Sequence, residues 1–399
     1  MKKILVVATF NNHFRFFCRL AKTLRELDFE THFVTNKYSI LKEAITSNVR
    51  IHGLKKIENS QFSGEITNSF EVAAESITHK NAEKIAGSVK TQLEKILDED
   101  KYEYIFIWGG VRLIELVSAK VAAKRRIKTL FFELGNFPNK IFVDPNGTNA
   151  QSLLSNKPGL LATFDYDIND YRKWHDRYLA DGLKKHLVPQ SSSAVNVEYS
   201  KNIKDLFGFY FKKLIQNEAL LTKNKLIGKY LRKVVRLSYD EVDLKTCKYI
   251  FYPMQVNMDA QLILNSEVGN LEALEIANRS AKENGLTLLV KPHPGEVEFG
   301  FIKKVNNLKE KLGFKFVNEN TIDLINNASE VVTINSTVGL QAKILNKKVT
   351  CLGKAFYNEF DENKLATYIQ SYLVNADFWG EANISLDSAK RILDRAELN

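Results

Sequence analysis

The sequence predicts an α/β protein with two parallel-sheet domains, and three observations carry that prediction. The chain opens with a strand–helix–strand unit, Lys3 to Thr9, Phe14 to Leu27 and Thr31 to Thr35, with Phe17, Leu20, Ala21 and Leu24 at helical spacing. A second alternation of strands and helices starts at the strand Tyr249 to Pro253. Within it, the Leu- and Val-rich run LLVKPHP, Leu288 to Pro294, must stop as a strand at its prolines, which cannot donate to a ladder. At 399 residues, two domains or a little more are expected.

Taken in order, the first turn Phe10-Asn11-Asn12-His13 lacks the Gly-x-Gly-x-x-Gly fingerprint, so a dinucleotide cofactor is not supported. The apolar run in MKKILVVATF breaks at Asn11-Asn12-His13 and reads as a first strand rather than a signal peptide. Residues 57 to 97 read as helical and polar. Tyr104 to Trp108 is a strand, followed by Gly109-Gly110 and a helix from Arg112 to Lys124. Thr129 to Phe132 is the next strand, ending at Glu133-Leu134-Gly135. A carboxylate at a strand end beside a glycine suits acid/base work, although a solvated glutamate there is also ordinary. The stretch IFVDPNGTN, Ile141 to Asn149, carries Asp144 and Asn149 as further candidates, while its Asp-Pro-Asn-Gly also reads as a turn.

From Lys201 to Arg236 aromatic residues alternate with lysine and arginine. Phe207, Tyr210, Phe211 and Leu214 share one helical face, and Lys212, Lys213, Lys229, Arg232 and Lys233 crowd the other. Such a basic amphipathic segment suits an anionic membrane surface; a solvated helical insertion is the plainer reading. The formal net charge of +10 agrees with an anionic partner, and no nucleic-acid-binding module accompanies it. Three scattered cysteines exclude a disulfide framework or zinc site and fit a reducing compartment. No apolar run approaches membrane-spanning length. The organisation read from these patterns is a domain over 1–160, a basic helical insertion over 161–244, a second domain over 245–360 and a helical tail over 361–399.

The second domain carries the most specific chemistry. In VVTINSTVGLQAKILNKKVTCLG, Val331 to Gly353, a strand gives way to Asn335-Ser336-Thr337 and then a helix. Hydroxyls and helix N-terminal amides at that point form an anion site. Lys291 and His293 sit at the end of the neighbouring strand, where ligands of open α/β sheets bind. A phosphate-bearing donor is the natural ligand; a strand-ending histidine and a helix-capping serine are the structural alternative.

The segments GLTLLVKPHP, EVVTINSTVGLQAKILNKKVTCLGKAFYN and YIFYPMQVNMDAQL resemble the bacterial capsule polysaccharide β-Kdo transferases of the KpsS/KpsC type. TLFFELGNFPNKIFVDPNGTNAQS resembles the upstream block of the same family, closest to the KpsS branch. The similarity runs in order from about Thr129 to Tyr357. It implies a GT-B-like fold of two facing Rossmann-like domains, the first on the acceptor side and the second binding the CMP-sugar, with a C-terminal helix returning to the first. It further implies retaining transfer of Kdo from CMP-Kdo, bound mainly by the second domain, onto a glycolipid such as lysophosphatidylglycerol or a Kdo-primed lipid. The setting is the cytoplasmic face of the inner membrane, with room for other capsule assembly proteins as partners, and with no cofactor or metal. By position, Asp259 falls on the nucleophile, Glu133 on the acid/base, Lys291 and His293 on the donor-phosphate motif, and Asn335, Ser336 and Thr337 on the phosphate-side turn; Gln255 joins the donor side. Leu134 stands where the family usually has a second acid, and Asn136-Phe137-Pro138 replaces its aromatic-Leu-Arg stretch.

Two rival readings are distinguished by residues. An inverting CMP-sialic acid transferase needs one base and no nucleophile, so the role of Asp259 decides. A catalytically idle lipid- or polysaccharide-binding subunit of a capsule assembly complex is the second, kept open by Leu134. Asp259 could also serve merely as a helix cap.

Overall fold

The computed structural model describes residues 1–184, 205, 208–216, 237–296 and 298–398. The chain forms two compact units, one holding residues 1–157, 208–216 and 372–398, the other 158–184 and 237–371. Each has a Rossmann-like sheet, and the fold class is α/β of the GT-B-like kind.

The first unit runs β1 (Lys2–Val7), α1 (Asn11–Glu26), β2 (Phe29–Thr35), α2 (Tyr38–Ser47), β3 (Arg50–Gly53), α3 (Phe70–Ala73), α4 (His79–Glu99), β4 (Tyr104–Trp108), α5 (Leu113–Lys124), β5 (Lys128–Leu134), β6 (Lys140–Asp144) and α6 (Leu153–Asn156). The second begins with α7 (Ile168–Lys184), then β7 (Tyr249–Pro253), α8 (Ala260–Asn265), α9 (Asn270–Glu283), β8 (Thr287–Lys291), α10 (Phe299–Leu312), β9 (Lys315–Phe316), α11 (Thr321–Asn327), β10 (Glu330–Thr333), α12 (Thr337–Ile344), β11 (Val349–Cys351) and α13 (Glu362–Thr367). The chain closes with β12 (Val374–Asn375) and α14 (Leu386–Asp394), back in the first unit.

The first sheet has the order β12-β6-β5-β4-β1-β2-β3. Its strands from β5 to β3 are parallel, and β6 and β12 add antiparallel pairings at one edge. Both faces are buried, as a parallel sheet requires, so its strands read as nearly continuous apolar runs. Ile4, Val6 and Ala8 face one core with Phe16, Phe17, Phe106, Trp108 and Phe132. Leu5 and Val7 face the other, under α4 and α5. The aromatic face is packed edge to face, as between Phe17 and Phe132 at 4.9 Å and 84°. Each such ring contributes about 2–3 kcal/mol by burial. The returning segment completes that face: Val374, Phe378, Ala389 and Ile392 belong to the same core. Arg19 fastens it by donating to the carbonyls of Asp377, Phe378 and Ala382.

Two stretches differ from the sequence expectation. Residues 57–69 are not helical; α4 starts at the cap Thr78, whose side chain accepts from the Asn81 amide. The preceding loop crosses α4 at Gly87, where a Cβ would lie 2.6 Å from the Gln61 nitrogen. Close passage of two backbones, not propensity, decides that segment. The stretch from Lys140 holds a strand, β6, that its turn residues concealed; the turn itself begins only at Asp144. The basic Lys201–Arg236 segment lies largely outside the described residues.

The second sheet, β11-β10-β7-β8-β9, is parallel throughout. Buried tyrosines on β7 keep their hydroxyls satisfied: Tyr249 donates to the Leu324 carbonyl at 2.8 Å and Tyr252 to Asn270 at 3.1 Å. In this sheet β8 and β9 extend from one side of β7, and β10 and β11 from the other. The loops after β7 and β10 therefore diverge. That is where an open α/β sheet leaves a ligand crevice.

Candidate functional site

In the second unit, the residues after β7 and β10 are joined across this divergence. The Gln255 side chain donates from Nε2 to Asn335 Oδ1 at 2.8 Å and accepts the Asn335 main-chain N–H at 3.2 Å. Gln255 is itself pinned by Asn270, which accepts its amide at 3.2 Å and donates to its carbonyl at 3.0 Å. Asn335 Nδ2 reaches the Gln261 carbonyl in α8 at 2.9 Å. Two loops and the first turns of two helices thus share one polar frame. Asn270 and Gln261 are members that sequence reasoning missed; both are pairings distant in the chain with no local signature.

At the same point α12 begins. Ser336 caps it, its Oγ accepting the Val338 amide at 3.2 Å, and Tyr357 donates its hydroxyl to the Ser336 carbonyl. Thr337 is exposed in the first turn. The Ser336 hydroxyl hydrogen, the Thr337 hydroxyl and the first-turn amides make this a phosphate-compatible helix start.

Asp259 caps α8, its Oδ1 accepting the Gln261 amide at 2.7 Å. Burial raises its pKa, opposed by that amide and by the charge of His293. His293 follows β8, and its Nδ1 accepts the Gly295 amide at 2.9 Å. Asp259, His293, Gln255, Asn335 and Ser336 therefore form one neighbourhood. Glu296 buttresses it, accepting the amides of Asn257 at 2.7 Å and Glu298 at 2.8 Å.

Lys291 is engaged elsewhere. Its Nζ donates to the Glu319 carbonyl at 2.7 Å and to Thr321 Oγ1 at 2.9 Å, bracing the turn before α11. Burial lowers its pKa. Its observed partners are this turn rather than the Gln255–Asn335 frame.

In the first unit, Glu133 lies at the end of β5 with Oε1 accepting the Leu134 amide at 2.9 Å. Leu134, one residue on, points to the opposite face and packs on the aromatic core. Asp144 is fully buried. Its Oδ1 accepts the amides of Asn146 at 2.8 Å, Gly147 at 3.2 Å and Leu153 at 2.9 Å, and its Oδ2 accepts Leu154 N–H at 3.2 Å and the Tyr372 hydroxyl at 2.8 Å. With five donors and no exposure it is a structural anchor, not a group positioned for substrate. Asn149 starts a short 3-10 turn with φ of 52° and offers its carbonyl to Ser152. Among the described residues no group of three or more His, Cys, Asp or Glu could hold a metal ion.

Residues 103–360 match the family described as capsule polysaccharide biosynthesis protein. The chain belongs to that family. Among curated relatives it is similar to the capsule polysaccharide modification protein LipB of Neisseria meningitidis, 22% identical over 306 residues, covering 69% of this chain and 70% of LipB. Protein FixF of Sinorhizobium fredii is 34% identical over 145 residues, 35% of this chain and 32% of FixF, so the chain spans about a third of that relative's length. Among solved structures it is similar to KpsC of Thermosulfurimonas dismutans, β-Kdo 2,7 transferase, at 16% identity, 99% coverage of each chain and a TM-score of 0.46. The β-Kdo 2,4 transferase structure of KpsC matches at 15% identity over 73% of this chain and 87% of that one, TM-score 0.42.

Proposed function

We propose that this capsule polysaccharide biosynthesis protein is a retaining glycosyltransferase, of the KpsS branch, that moves Kdo from CMP-Kdo onto a membrane glycolipid, lysophosphatidylglycerol or a Kdo-primed lipid. The observation that carries the reading is the Gln255–Asn335 frame beside the α12 start, with a half-buried carboxylate, Asp259, in the same neighbourhood. The Ser336–Thr337 amides and hydroxyls would hold the phosphate of CMP, with His293 donating to it from Nε2 as it leaves. In the first step the Asp259 carboxylate bonds to the anomeric carbon while the bond to the phosphate oxygen breaks and CMP leaves with the electron pair. In the second the acceptor hydroxyl bonds to that carbon, gives its proton to a general base, the role the family resemblance assigns to Glu133, and Asp259 is released. These residues need no cofactor or metal.

Membrane attachment is part of the proposal. Tyr210 and Phe211 are 71% and 72% exposed and precede Lys212 and Lys213, an aromatic-basic combination suited to an anionic interface. No helix among the described residues is long and apolar enough to cross a membrane, so the attachment we propose is peripheral, on the cytoplasmic face.

One observation favours a second reading. Asp259 already serves as the α8 cap, and an inverting CMP-sialic acid transferase, which uses no nucleophile, would need no more of it. Incubation with a panel of CMP-sugars and lipid acceptors, read by mass spectrometry, tests the function. A mass gain of one Kdo on a lipid acceptor, with CMP released, is expected. Absence of transfer from every CMP-sugar would overturn it.

A further inference from the structure

Asp259 and His293 stand on different loops of the second unit, one after β7 and the other after β8. A buried carboxylate, Glu296, joins the two loops, and the chemistry set out above gives it no part.

On the first loop, residues 256–259 form a turn closed by the Asp259 amide, which donates to the Val256 carbonyl at 3.0 Å. Asp259 ends that turn and at once caps α8. A helix of six residues has too few internal bonds to fix its own place, so the turn decides where the Asp259 carboxylate sits.

On the second loop, the Gly295 amide donates to His293 Nδ1 at 2.9 Å and the Glu296 amide to the His293 carbonyl at 3.1 Å. With Nδ1 accepting, a neutral imidazole carries its proton on Nε2 and offers that nitrogen as a donor. A Cβ on Gly295 would press on His293 Nδ1 at 3.0 Å and touch Val256 Cγ2 at 3.5 Å. The two turns therefore lie against each other.

Glu296 clasps them. Its Oε2 accepts the amide of Asn257, the second residue of the Asp259 turn, at 2.7 Å, and its Oε1 accepts the Glu298 amide at 2.8 Å. Asn257 answers from its side chain, donating Nδ2 to Glu298 Oε2 at 3.1 Å. Glu296 is only 9% exposed. A carboxylate is costly to take out of water unless donors replace its hydration, and these two main-chain donors come one from each loop. Held in this way, the carboxylate sets the spacing between the loops.

We propose that Glu296 is a positioning residue for the transfer reaction, holding the Asp259 carboxylate and His293 Nε2 in fixed register. The nucleophile and the donor to the departing phosphate must serve one anomeric centre, and a shift of about 1 Å between such groups costs on the order of a hundredfold in rate. The chemistry here rests on the transferase reading; the clasp rests on the geometry of the two loops.

The test combines nuclear magnetic resonance of the full chain, its histidine rings labelled with nitrogen-15 and His293 assigned with His293→Gln, with calorimetry and kinetics. CMP should shift the His293 Nε2 signal in the parent. In Glu296→Ala that shift should largely disappear at CMP saturation, while CMP affinity stays within about threefold of the parent's. With CMP-Kdo, kcat should fall on the order of a hundredfold and KM stay nearly constant. Glu296→Gln keeps one acceptor oxygen, so it should recover part of both responses, with kcat down about tenfold; it carries the test alone where the alanine variant does not fold. A His293 signal that CMP leaves unmoved in the parent, or moves equally in parent and variants, overturns the proposal. So does a loss of CMP affinity in step with stability, which would make Glu296 merely structural. Loss of the His293 response in a variant of a protein that transfers from no CMP-sugar leaves the clasp standing while the transferase reading falls. Parent-like turnover by the variants sinks the clasp and leaves that reading intact.

Discussion

Gln255 holds Asn335 by two hydrogen bonds, one to its side-chain carbonyl at 2.8 Å and one from its main-chain N–H at 3.2 Å. Eighty residues separate the pair in sequence, and each lies just beyond the carboxyl end of a strand at the divergence of the second sheet. The link fixes where α12 starts relative to β7, and so where its first-turn amides point.

Breaking that link should loosen both stability and donor binding. Gln255→Ala removes two hydrogen bonds and leaves the Asn335 groups without their partner, a loss of about 1–3 kcal/mol. Thermal unfolding with and without CMP should show a lower midpoint and a smaller CMP-induced rise than in the parent. An unchanged CMP-induced rise would mean that the frame does not shape the donor site.

The cap at Ser336 separates structure from binding. Ser336→Ala loses the cap of α12, about 1 kcal/mol, whereas Ser336→Asn keeps a capping oxygen but not the hydroxyl. Calorimetry should find CMP binding weakened in both, with stability lost mainly in the alanine variant. Binding that follows stability alone would reduce Ser336 to a structural cap.

Glu115 sets a pH dependence in the first unit. Burial pushes its carboxyl up to about 7, against about 4.3 for an unfolded glutamate. Between those values the folded state holds more protons than the unfolded one, so this group favours folding at low pH and its contribution is lost as pH rises through about 7. The effect is at most about 4 kcal/mol. Urea unfolding from pH 4.5 to 7.5 should show a slope that Glu115→Gln flattens. An identical slope in the variant would place the titration elsewhere.

Asp144 should behave as an anchor. Asp144→Ala strips a partner from four amides and the Tyr372 hydroxyl, a loss on the order of 3–5 kcal/mol. Urea unfolding would measure it, and a loss under about 1 kcal/mol would contradict the buried network.

The aromatic-basic pair is expected to act at the bilayer. Lys212→Gln with Lys213→Gln should weaken co-sedimentation with anionic vesicles by roughly 1 kcal/mol per charge, and added salt should do the same. Tyr210→Ser with Phe211→Ser should weaken it with little change in salt response. Sedimentation insensitive to all four substitutions would remove this surface from the account.

The parallel sheets were legible because buried strands and amphipathic helices announce themselves within a few residues, as at Leu288 to Lys291 and Val331 to Ile344. The strand–turn–helix at Asn335–Thr337 was legible for the same reason. What escaped depends on distant partners. The Gln255–Asn335–Gln261 frame joins loops without a shared pattern, and the loop lying on Gly87 is decided by a backbone crossing. Lys291 shows the limit most clearly: a lysine at a strand end can turn to either face, and here the Glu319 carbonyl and Thr321 hydroxyl claim it. Leu134, where the family usually has an acid, packs by the alternation along β5 on the aromatic core, a contact no local pattern announces.

The central claim is that Asp259 forms a bond to the sugar, and a stalled second step tests it most directly. Glu133→Gln, incubated with CMP-Kdo and acceptor, is followed by intact-protein mass spectrometry and peptide mapping. The account predicts an added mass of one Kdo residue on the peptide containing Asp259, with no adduct in the Glu133→Gln, Asp259→Asn double variant and no transfer by Asp259→Asn alone. Near-normal transfer by Asp259→Asn would contradict it.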